Sequence, residues 1–257
     1  ITGGADAAKF TIDSKTGTLS FVSAPDFETP TDSGANNVYD VTITVSDGAS
    51  GSDSQDLAIT VTDALPGDHV CRVGRAATYW FGVIEGLLKM SADNEQGNSM
   101  TFTGVPSGGW FGEGTVMKRE TYRYNIQALR ASVVAGLPVH HFHWLLDHSI
   151  GFNRFVMNQL NERLGQFIAA REIDRLNNPD IRVARSLAIL FNPVLYPGVG
   201  AVLRITQQEL AYLVGLSRQR VNMALNNLQA DQLIRTEYGG LRVLDLTRLR
   251  RFGLPSA

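Results

Sequence analysis

Residues 205–229 read ITQQELAYLVGLSRQRVNMALNNLQ, and they predict two short helices joined by a tight turn. Thr206 and Glu209 form a capping box at the start of the first helix, and Ser217 is a good cap for the second. Gly215 stands between the helices, where it permits a sharp turn. Apolar residues recur at helical spacing, so we expect one shared buried face. That face consists of Leu210, Leu213, Val214, Val221, Ala224, Leu225 and Leu228.

The outer face of the second helix carries side chains that can read DNA bases. Burial of the apolar face leaves five residues pointing outward: Arg218, Gln219, Asn222, Met223 and Asn226. Arginine can pair with guanine O6 and N7, whereas glutamine and asparagine can pair with adenine N6 and N7. We therefore predict a helix-turn-helix that binds double-stranded DNA, with Arg218, Gln219 and Asn222 on base edges in the major groove. The alternative is a helical pair that serves only packing.

A hairpin is predicted after the two helices. Gly239 and Gly240 separate the strand-like runs 233–238 and 241–244, so we expect a wing. Residues 204–252 contain eight arginines against four acidic residues, which suits a polyanionic partner. The other residues that we predict at the DNA surface contact phosphate or support the helix ends: Arg204, Thr206, Ser217, Arg220, Arg235 and Arg242.

Composition limits the classes of protein to consider. The net charge is -2, but residues 1–63 hold two lysines against ten acids, so the remainder has 21 basic and 15 acidic residues. No apolar run is long enough to span a bilayer, and the first residues lack the pattern of a signal peptide. A single cysteine excludes an internal disulfide bond. We expect a cytoplasmic protein without a membrane partner and, because no catalytic constellation is present, not an enzyme.

Residues 1–63 read as short strands at the spacing of an antiparallel sandwich. The run 38–45 alternates apolar and polar residues at period two, as a half-buried strand does. The other expected features are a strand at 10–13, a turn at 15–17, a strand at 19–22, a turn at 47–48 and a strand at 57–61. We therefore predict a partial β-sandwich over residues 1–63.

This segment resembles a cadherin-like repeat of bacterial adhesins. The resemblance rests on FTID at 10–13, TGTL at 16–19, PDFE at 25–28 and VTITVSDG at 41–48. It implies a calcium site, because Asp26, Glu28 and Asp63 stand where that family places acids that hold calcium between repeats. The alternative function is accordingly a fragment of an extracellular, calcium-dependent adhesin.

Residues 65–252 resemble the Crp/Fnr family of transcription regulators. In the helical pair, the matching stretches are ITQQELA at 205–211 and GLSRQRV at 215–221. Two earlier stretches, VIEG at 83–86 and GWFGEG at 109–114, resemble the family's cyclic-nucleotide-binding β-roll. The resemblance implies a β-roll, a long dimerisation helix and a winged helix-turn-helix, with RNA polymerase as a further partner. Met223 stands where the family pattern has an arginine, which leaves the base read at this position open.

The same resemblance implies an effector site. In the family's roll a glutamate accepts a ribose hydroxyl, and an arginine about ten residues later pairs with the cyclic phosphate. Glu113 and Arg123 stand at that spacing, with Gly112 and Tyr124 beside them. Tyr124 is bulky where the family has a small hydroxyl residue. We therefore predict a degenerate pocket with an unknown effector; a cyclic-nucleotide sensor is the alternative.

A long helix is predicted between the roll and the helix-turn-helix. Its apolar stripe consists of Phe152, Phe155, Val156, Leu160, Leu164, Phe167 and Ile168. Because DNA readers of this type bind two half-sites about one helical turn apart, we predict that residues 150–173 pair two chains into a homodimer. The alternative is that the stripe packs within one chain.

Two further groups of residues are weighed for metal or redox chemistry. The first is the histidine cluster, with His140, His141, His143 and His148. No cysteine or carboxylate cluster completes a metal site there, so we expect packed or surface histidines. Cys71 alone cannot hold an iron–sulfur cluster, and we expect a small buried residue.

The predicted architecture is multidomain α+β. It comprises a partial cadherin-like antiparallel β-sandwich (1–63), a partial cyclic-nucleotide-binding-like β-roll (65–147), a dimerisation helix (148–175) and a winged helix-turn-helix (176–257). Because the roll family's opening helix and first strand have no counterpart, we expect a join near Ala64, natural or artificial, between unrelated segments. The predicted function is a sequence-specific DNA-binding transcription regulator.

Overall fold

The computed structural model describes residues 1–14, 17–93, 99–174 and 178–254. A 3-10 turn (Ala7–Lys9) precedes strand β1 (Phe10–Ile12), which pairs antiparallel with β2 (Leu19–Phe21). Strands β3 (Val38–Ser46) and β4 (Ser52–Ala64) form a long hairpin. The predicted strands of this segment are confirmed, although β4 is longer than expected; residues 15 and 16 of the predicted turn lie outside the described residues.

The first residues of the chain cover the outer edge of β3. Thr42 exchanges backbone hydrogen bonds with residues 2 and 3: Thr2 N donates to its carbonyl at 2.9 Å, and its own N–H donates to the Gly3 carbonyl at 2.8 Å. Asp6 is buried, and its Oδ2 accepts a hydrogen bond from Asp40 N at 2.9 Å. Backbone groups along this part of the edge are therefore paired.

A β-roll follows, made of two antiparallel sheets. Its strands are β5 (His69–Cys71), β6 (Tyr79–Glu85), β7 (Leu87–Asp93), β8 (Ser99–Pro106), β9 (Trp110–Phe111), β10 (Asn125–Ala128) and β11 (Ser132–Pro138). One sheet has the order β5-β10-β7-β8 and the other has the order β3-β4-β11-β6-β9. Apolar side chains of both sheets, including Val83, Leu88, Phe111 and Val134, fill the interior.

The N-terminal strands differ from the independent sandwich that the sequence predicts. β4 pairs with β11 from Ala64–Ser132 to Thr60–Gly136, so the β3–β4 hairpin extends a sheet of the roll. Val61 is buried in the same core as Trp80. The physical reason is that β11 has a free edge of backbone donors and acceptors, and the alternating apolar residues of β4 allow it to pair there. The expected separation near Ala64 is corrected accordingly.

Three helices lie against the outer face of the larger sheet: α1 (Glu113–Lys118), α2 (Val139–His148) and α3 (Ile150–Asp174). The predicted long helix is thus confirmed as α3. None of the helices in the described part of the chain combines the length and hydrophobicity that crossing a bilayer requires.

The last part of the chain packs around a core that also contains Leu87 of β7 in the roll. Its elements are α4 (Pro179–Ile189), β12 (Val202–Leu203), α5 (Gln207–Val214), α6 (Arg218–Ala230), β13 (Ile234–Glu237), β14 (Gly240–Val243) and α7 (Leu246–Arg250). The three strands form a small sheet in the order β12-β14-β13. The connection from the roll passes Gly198, where a Cβ would lie 2.6 Å from the Ser107 carbonyl oxygen. This close backbone contact holds the connecting loop against the roll.

Candidate DNA-binding interface

The capping groups predicted from the sequence are formed at both helices of the pair. Thr206 Oγ1 accepts a hydrogen bond from Glu209 N at 3.1 Å, and Glu209 Oε2 accepts one from Thr206 N at 2.7 Å. At the second helix, Ser217 Oγ accepts from Arg220 N at 3.2 Å. Gly215 has a left-handed φ of 65°, as the turn between α5 and α6 requires. Each cap stabilises its helix by about 1 kcal/mol.

Burial fixes which face of α6 points outward. Val221, Ala224, Leu225 and Leu228 are buried, as predicted, against a core that includes Leu210 of α5. Residues at the intervening positions are exposed, namely Arg218, Gln219, Asn222, Met223 and Asn226. The three predicted base-reading residues therefore lie on one solvent-facing surface.

Two contacts on this surface were not predicted from the sequence. Gln207 Nε2, at the start of α5, donates to Asn222 Oδ1 at 2.8 Å. Arg220 is half-buried, and its Nη1 lies 3.9 Å from Met223 Sδ. The first contact joins α5 to α6, and the second lies within α6. Both contacts restrict the side-chain rotamers before DNA is bound.

The predicted hairpin is formed by β13 and β14, with Gly239 at a left-handed φ of 72°. Glu237 lies between two arginines: its Oε1 accepts from Arg235 Nη2 at 2.9 Å and from Arg242 Nε at 2.5 Å. These hydrogen bonds lower the pKa of the Glu237 carboxyl to about 2, so it is ionised near neutral pH. The wing therefore presents its arginines together with a carboxylate, which the sequence analysis did not anticipate.

Of the four predicted effector residues, Gly112, Glu113 and Tyr124 lie close together, whereas Arg123 has another partner. Glu113 is buried and accepts a hydrogen bond at Oε1 from Arg163 Nε of α3 at 2.7 Å. Arg123 instead has 77% of its side chain exposed and pairs with Glu120 at 3.0 Å. The reason is competition: Arg163 lies at the buried face of α3 and neutralises the carboxylate that the prediction left to a ligand. Glu113 and Arg123 therefore have different partners in this structure, and their joint role at a ligand stays a prediction.

The surroundings of Glu113 are tightly packed but not fully hydrogen-bonded. Gly112 has a left-handed φ of 89°, and a Cβ there would lie 3.9 Å from the Tyr124 hydroxyl. Burial and the nearby Glu113 charge raise the pKa of Tyr124 to about 12. Among the described residues, Glu113 Oε2 and Arg163 Nη1 are buried without a hydrogen-bond partner. One buried donor, Arg163 Nη1, and one buried acceptor, Glu113 Oε2, are therefore unpaired, which is uncommon for buried polar atoms.

Arg163 was missed at the sequence level although a signal for it exists. Val156, Gln159, Arg163 and Gln166 recur at intervals of three and four, and all four are buried. Polar residues in the buried positions of a helix indicate partners elsewhere in the fold. Gln166 Nε2 donates to Thr103 Oγ1 at 2.7 Å and to the Tyr196 hydroxyl at 3.0 Å. The buried polar face of α3 thus joins the roll to the loop that leads to α5.

The predicted apolar stripe of α3 is divided between two environments. Phe152, Phe155, Val156 and Leu160 pack into the core with Trp80. The remaining members, Leu164, Phe167 and Ile168, are exposed. With Ile150 and Met157, Leu164 and Ile168 form a separate exposed row at heptad-like spacing. The single stripe expected from the sequence is therefore corrected to a buried row and an exposed row.

The calcium residues are not assembled into a site. Asp26 Oδ1 accepts from Glu28 N at 3.0 Å, whereas Asp63 lies in β4 opposite Val133. Among the residues that the structure describes, no group of three or more His, Cys, Asp or Glu side chains is placed to hold a metal ion. The expected calcium site at Asp26, Glu28 and Asp63 is therefore not supported.

The histidine cluster and Cys71 have ordinary packing roles. His143 Nε2 lies 3.1 Å from the Val116 carbonyl oxygen, and His148 Nε2 lies 3.3 Å from Asp53 Oδ2. Cys71 is a free, buried thiol, and burial raises its pKa to about 12. The expectation of a small buried residue at Cys71 is confirmed.

Comparisons with protein families match both main parts of the chain. A model of the Crp-like helix-turn-helix domain matches residues 181–252, and a model of the cyclic nucleotide-binding domain matches residues 62–149. The transcriptional regulator SdrP of Thermus thermophilus is 30% identical over 174 residues, covering 66% of this chain and 81% of SdrP. The transcriptional regulator LdrP of the same species is 27% identical over 182 residues, covering 69% of this chain and 89% of LdrP.

Solved structures show the same fold. FixK2 of Bradyrhizobium japonicum superposes with a TM-score of 0.62 at 13% identity, covering 77% of this chain and 99% of FixK2. A CRP-family transcriptional regulator of Thermus thermophilus superposes with a TM-score of 0.52 at 22% identity, covering 74% of this chain and 95% of that regulator. The cadherin-like resemblance of residues 1–63 finds no support in these comparisons.

Proposed function

We propose that the chain regulates transcription by placing α6 in the major groove of a specific operator. The chain belongs to the Crp/Fnr family of transcription regulators. The observation that carries the proposal is the exposed surface of Arg218, Gln219 and Asn222 on a helix capped at Ser217 and buried along its opposite face. The relatives are named as transcription regulators, and we do not assign an enzymatic activity.

Base reading and phosphate binding are assigned to different residues. Arg218, Gln219 and Asn222 are proposed to contact base edges, because they lie in the first turns of α6 and are exposed. Phosphate contacts are proposed for residues around this surface: Arg204, Thr206, Ser217, Arg220, Arg235 and Arg242. The hydroxyls of Thr206 and Ser217 accept backbone hydrogen bonds as caps, so their O–H groups remain free to donate to phosphate oxygens.

A pair of substitutions tests this division. DNA selected from a random duplex pool provides the specific site, and fluorescence anisotropy measures binding to it and to a scrambled duplex. Arg218→Ala is expected to weaken specific binding by about 1–3 kcal/mol and scrambled binding much less. Arg235→Ala is expected to weaken both equally and to reduce the salt slope by about 0.9. Equal losses on both duplexes for Arg218→Ala would reject base reading by this residue.

The chain is proposed to act as a homodimer through α3. The row of Ile150, Met157, Leu164 and Ile168 is exposed by 57–72% in one chain, and these residues recur at heptad-like spacing. A second copy of α3 would cover this row and set two α6 helices against two half-sites. RNA polymerase as a further partner and a cytoplasmic location are carried over as proposals from the family.

A second candidate function is the sensing of a small effector at Glu113 and Arg163. The specific observation is the pair of buried atoms without partners, Glu113 Oε2 and Arg163 Nη1. Both atoms are sealed from solvent, so a nucleotide would have to displace the packing around them; Oε2 could then accept from a sugar hydroxyl and Nη1 could donate to a phosphate oxygen. Arg123 would take no part, because it faces solvent.

Calorimetry tests this second candidate. Cyclic AMP and cyclic GMP are titrated into the whole protein and into the Glu113→Gln variant, which keeps the side-chain shape. Binding to the native protein that is lost in the variant supports a nucleotide effector. Absence of heat with both nucleotides at millimolar concentration contradicts it and leaves the DNA-binding proposal untouched.

A further inference from the structure

One amide of the proposed DNA surface is hydrogen-bonded within the protein. Gln207 Nε2 donates to Asn222 Oδ1 at 2.8 Å. Gln207 is the half-buried first residue of α5, and the capping box of Thr206 and Glu209 fixes the point at which that helix begins. Asn222 lies about one helical turn after Arg218 on the exposed face of α6. The contact therefore joins the start of α5 to the surface that is proposed to read bases.

The direction of this hydrogen bond decides which atoms of Asn222 can face DNA. An asparagine amide has one oxygen, which accepts hydrogen bonds, and one NH2 group, which has two donors. Both groups are attached to the same planar carbon, so an oxygen that is directed at Gln207 directs the NH2 group elsewhere. The NH2 group is therefore the part of Asn222 that can contact a base edge.

A side chain that presents only donors does not select the base that asparagine usually selects. Asparagine reads adenine with both of its groups, because the oxygen accepts from N6 and the NH2 group donates to N7. Guanine presents two acceptors, O6 and N7, in the same groove, whereas thymine presents O4 alone. An NH2 group with two donors matches the guanine edge, but it would face adenine N6 as a second donor. The hydrogen bond from Gln207 therefore favours guanine over adenine at Asn222.

The sequence of α6 has the same donor character. Arg218 can only donate, and it stands four residues before Asn222, so both side chains lie on one face of the helix. None of residues 218–230 is an aspartate or a glutamate, the residues that accept from cytosine N4. A donor at Asn222 thus continues the donor surface that Arg218 begins.

We propose that Gln207 is a positioning residue that sets the base preference of Asn222 to guanine. The proposal rests on the DNA-binding function proposed above, because Gln207 acts through a residue of the base-reading surface. Gln207 holds the Asn222 oxygen, and the Asn222 NH2 group donates to guanine O6 and N7. Without the Gln207 donor, the amide can turn over and pair with adenine as well.

A substitution first locates the base pair that Asn222 reads. Selection from a random duplex pool gives the operator, and each of its base pairs is then replaced in turn by the other three. Fluorescence anisotropy measures how the whole protein and its Asn222→Ala variant bind these duplexes. The base pair whose preference is lost in Asn222→Ala is expected to be G·C.

The possible failures of this measurement are distinguishable. An A·T pair at the Asn222 position, or no base pair that responds to Asn222→Ala, overturns the role of Gln207 while DNA recognition by α6 stands. Selection of no sequence from the pool by the native protein contradicts the proposed function, and the role of Gln207 fails with it.

Gln207→Glu reverses the polarity of the contact. Glutamate has the same length as glutamine but can only accept, so it pairs with the Asn222 NH2 group and turns the oxygen toward DNA. The ratio of affinities for the G·C and A·T operators is expected to fall by about three- to tenfold, the contribution of one amide hydrogen bond. An acidic residue in the first turn is compatible with the helix, so the variant should fold.

Gln208→Glu is the matched control. Gln208 is the next residue of α5 and is exposed, and its substitution adds the same negative charge to the same helical turn. Both variants are expected to bind every duplex less tightly, but only Gln207→Glu should change the ratio. Circular dichroism melting verifies that each variant is folded. An unchanged ratio in folded Gln207→Glu, or the same change in Gln208→Glu, rejects the positioning role of Gln207.

Discussion

At the scale of single residues, one carboxylate partly neutralises the positive charge of the wing. Glu237 accepts hydrogen bonds from both Arg235 and Arg242. Because the folded-state pKa of Glu237 is depressed to about 2, its contribution to stability is present above the pKa of the unfolded chain. That contribution is lost as the pH falls through about 2. At neutral pH the wing therefore approaches DNA with its acid ionised.

Glu237→Gln is expected to increase affinity for specific and scrambled duplexes alike, because it removes a negative charge near phosphate and frees two arginines. Each additional phosphate contact steepens the plot of log K against log salt by about 0.9. Anisotropy at a series of salt concentrations measures both effects. Glu120→Gln is the control, since Glu120 holds the exposed Arg123 away from the wing. Unchanged affinity in Glu237→Gln, or the same change in Glu120→Gln, would contradict the view that Glu237 opposes phosphate binding by the wing.

A second residue-scale prediction concerns the buried pair of Glu113 and Arg163. Arg163→Met leaves a buried carboxylate without its cation and is expected to destabilise the protein by about 3–5 kcal/mol. Urea unfolding at fixed protein concentration measures the loss. Arg248→Met, at an exposed position of α7, should cost less than about 0.5 kcal/mol. Adding Glu113→Leu to Arg163→Met should recover much of the lost stability; similar losses in the two single arginine variants would contradict the buried-pair interpretation.

At the scale of helices and strands, the sequence predicts helix caps and turns correctly, but it does not predict contacts between residues far apart in the chain. The capping box at Thr206 and the turn at Gly215 depend on residues within a few positions, so the sequence specifies them directly. Glu113 and Arg163 are 50 positions apart, and helical periodicity reveals only that Arg163 is on a buried face. The prediction of a single apolar stripe on α3 was wrong for a related reason. Apolar spacing shows that a residue lies at an interface, but it does not show which of two interfaces the residue faces.

The exposed row of α3 yields a prediction for assembly. Leu164→Glu places a charge in the centre of the proposed helix pair and is expected to convert the dimer into a monomer. It should also greatly weaken binding to a palindromic site, because two half-sites no longer bind together. Light scattering after size-exclusion chromatography measures the mass. Asn158→Glu is the control, because Asn158 is exposed on α3 outside this row; a wild-type monomer at micromolar concentration would refute the dimer.

At the scale of the whole molecule, the β3–β4 hairpin is a structural part of the roll. The sequence could not predict this, because the pairing of β4 with β11 joins residues that are 68 to 76 positions apart and strand alternation alone does not name a partner. A chain of residues 65–257 would expose the β11 edge and uncover Trp80, which packs in the same core as β3 and β4. An independent sandwich, by contrast, could be removed without effect.

Deletion of residues 1–64 is therefore expected to lower the thermal midpoint and to cause aggregation. Circular dichroism melting and light scattering measure both quantities, and the intact chain is the reference. A soluble fragment with an unchanged midpoint would show that the hairpin adds nothing to the roll, and would restore the separate arrangement expected from the sequence.

The pairing of residues 3 and 6 with the edge of β3 also bears on whether molecules of this protein aggregate. A strand with unpaired amides can recruit the same strand from a neighbouring molecule, and repeated recruitment builds fibrils. Asp6 and the Gly3–Thr42 bridge occupy the amides of Asp40 and Thr42, so this part of the edge cannot pair with a neighbouring molecule. Asp6→Ala should therefore change little in DNA recognition but should increase the binding of an amyloid dye when the concentrated protein is stored.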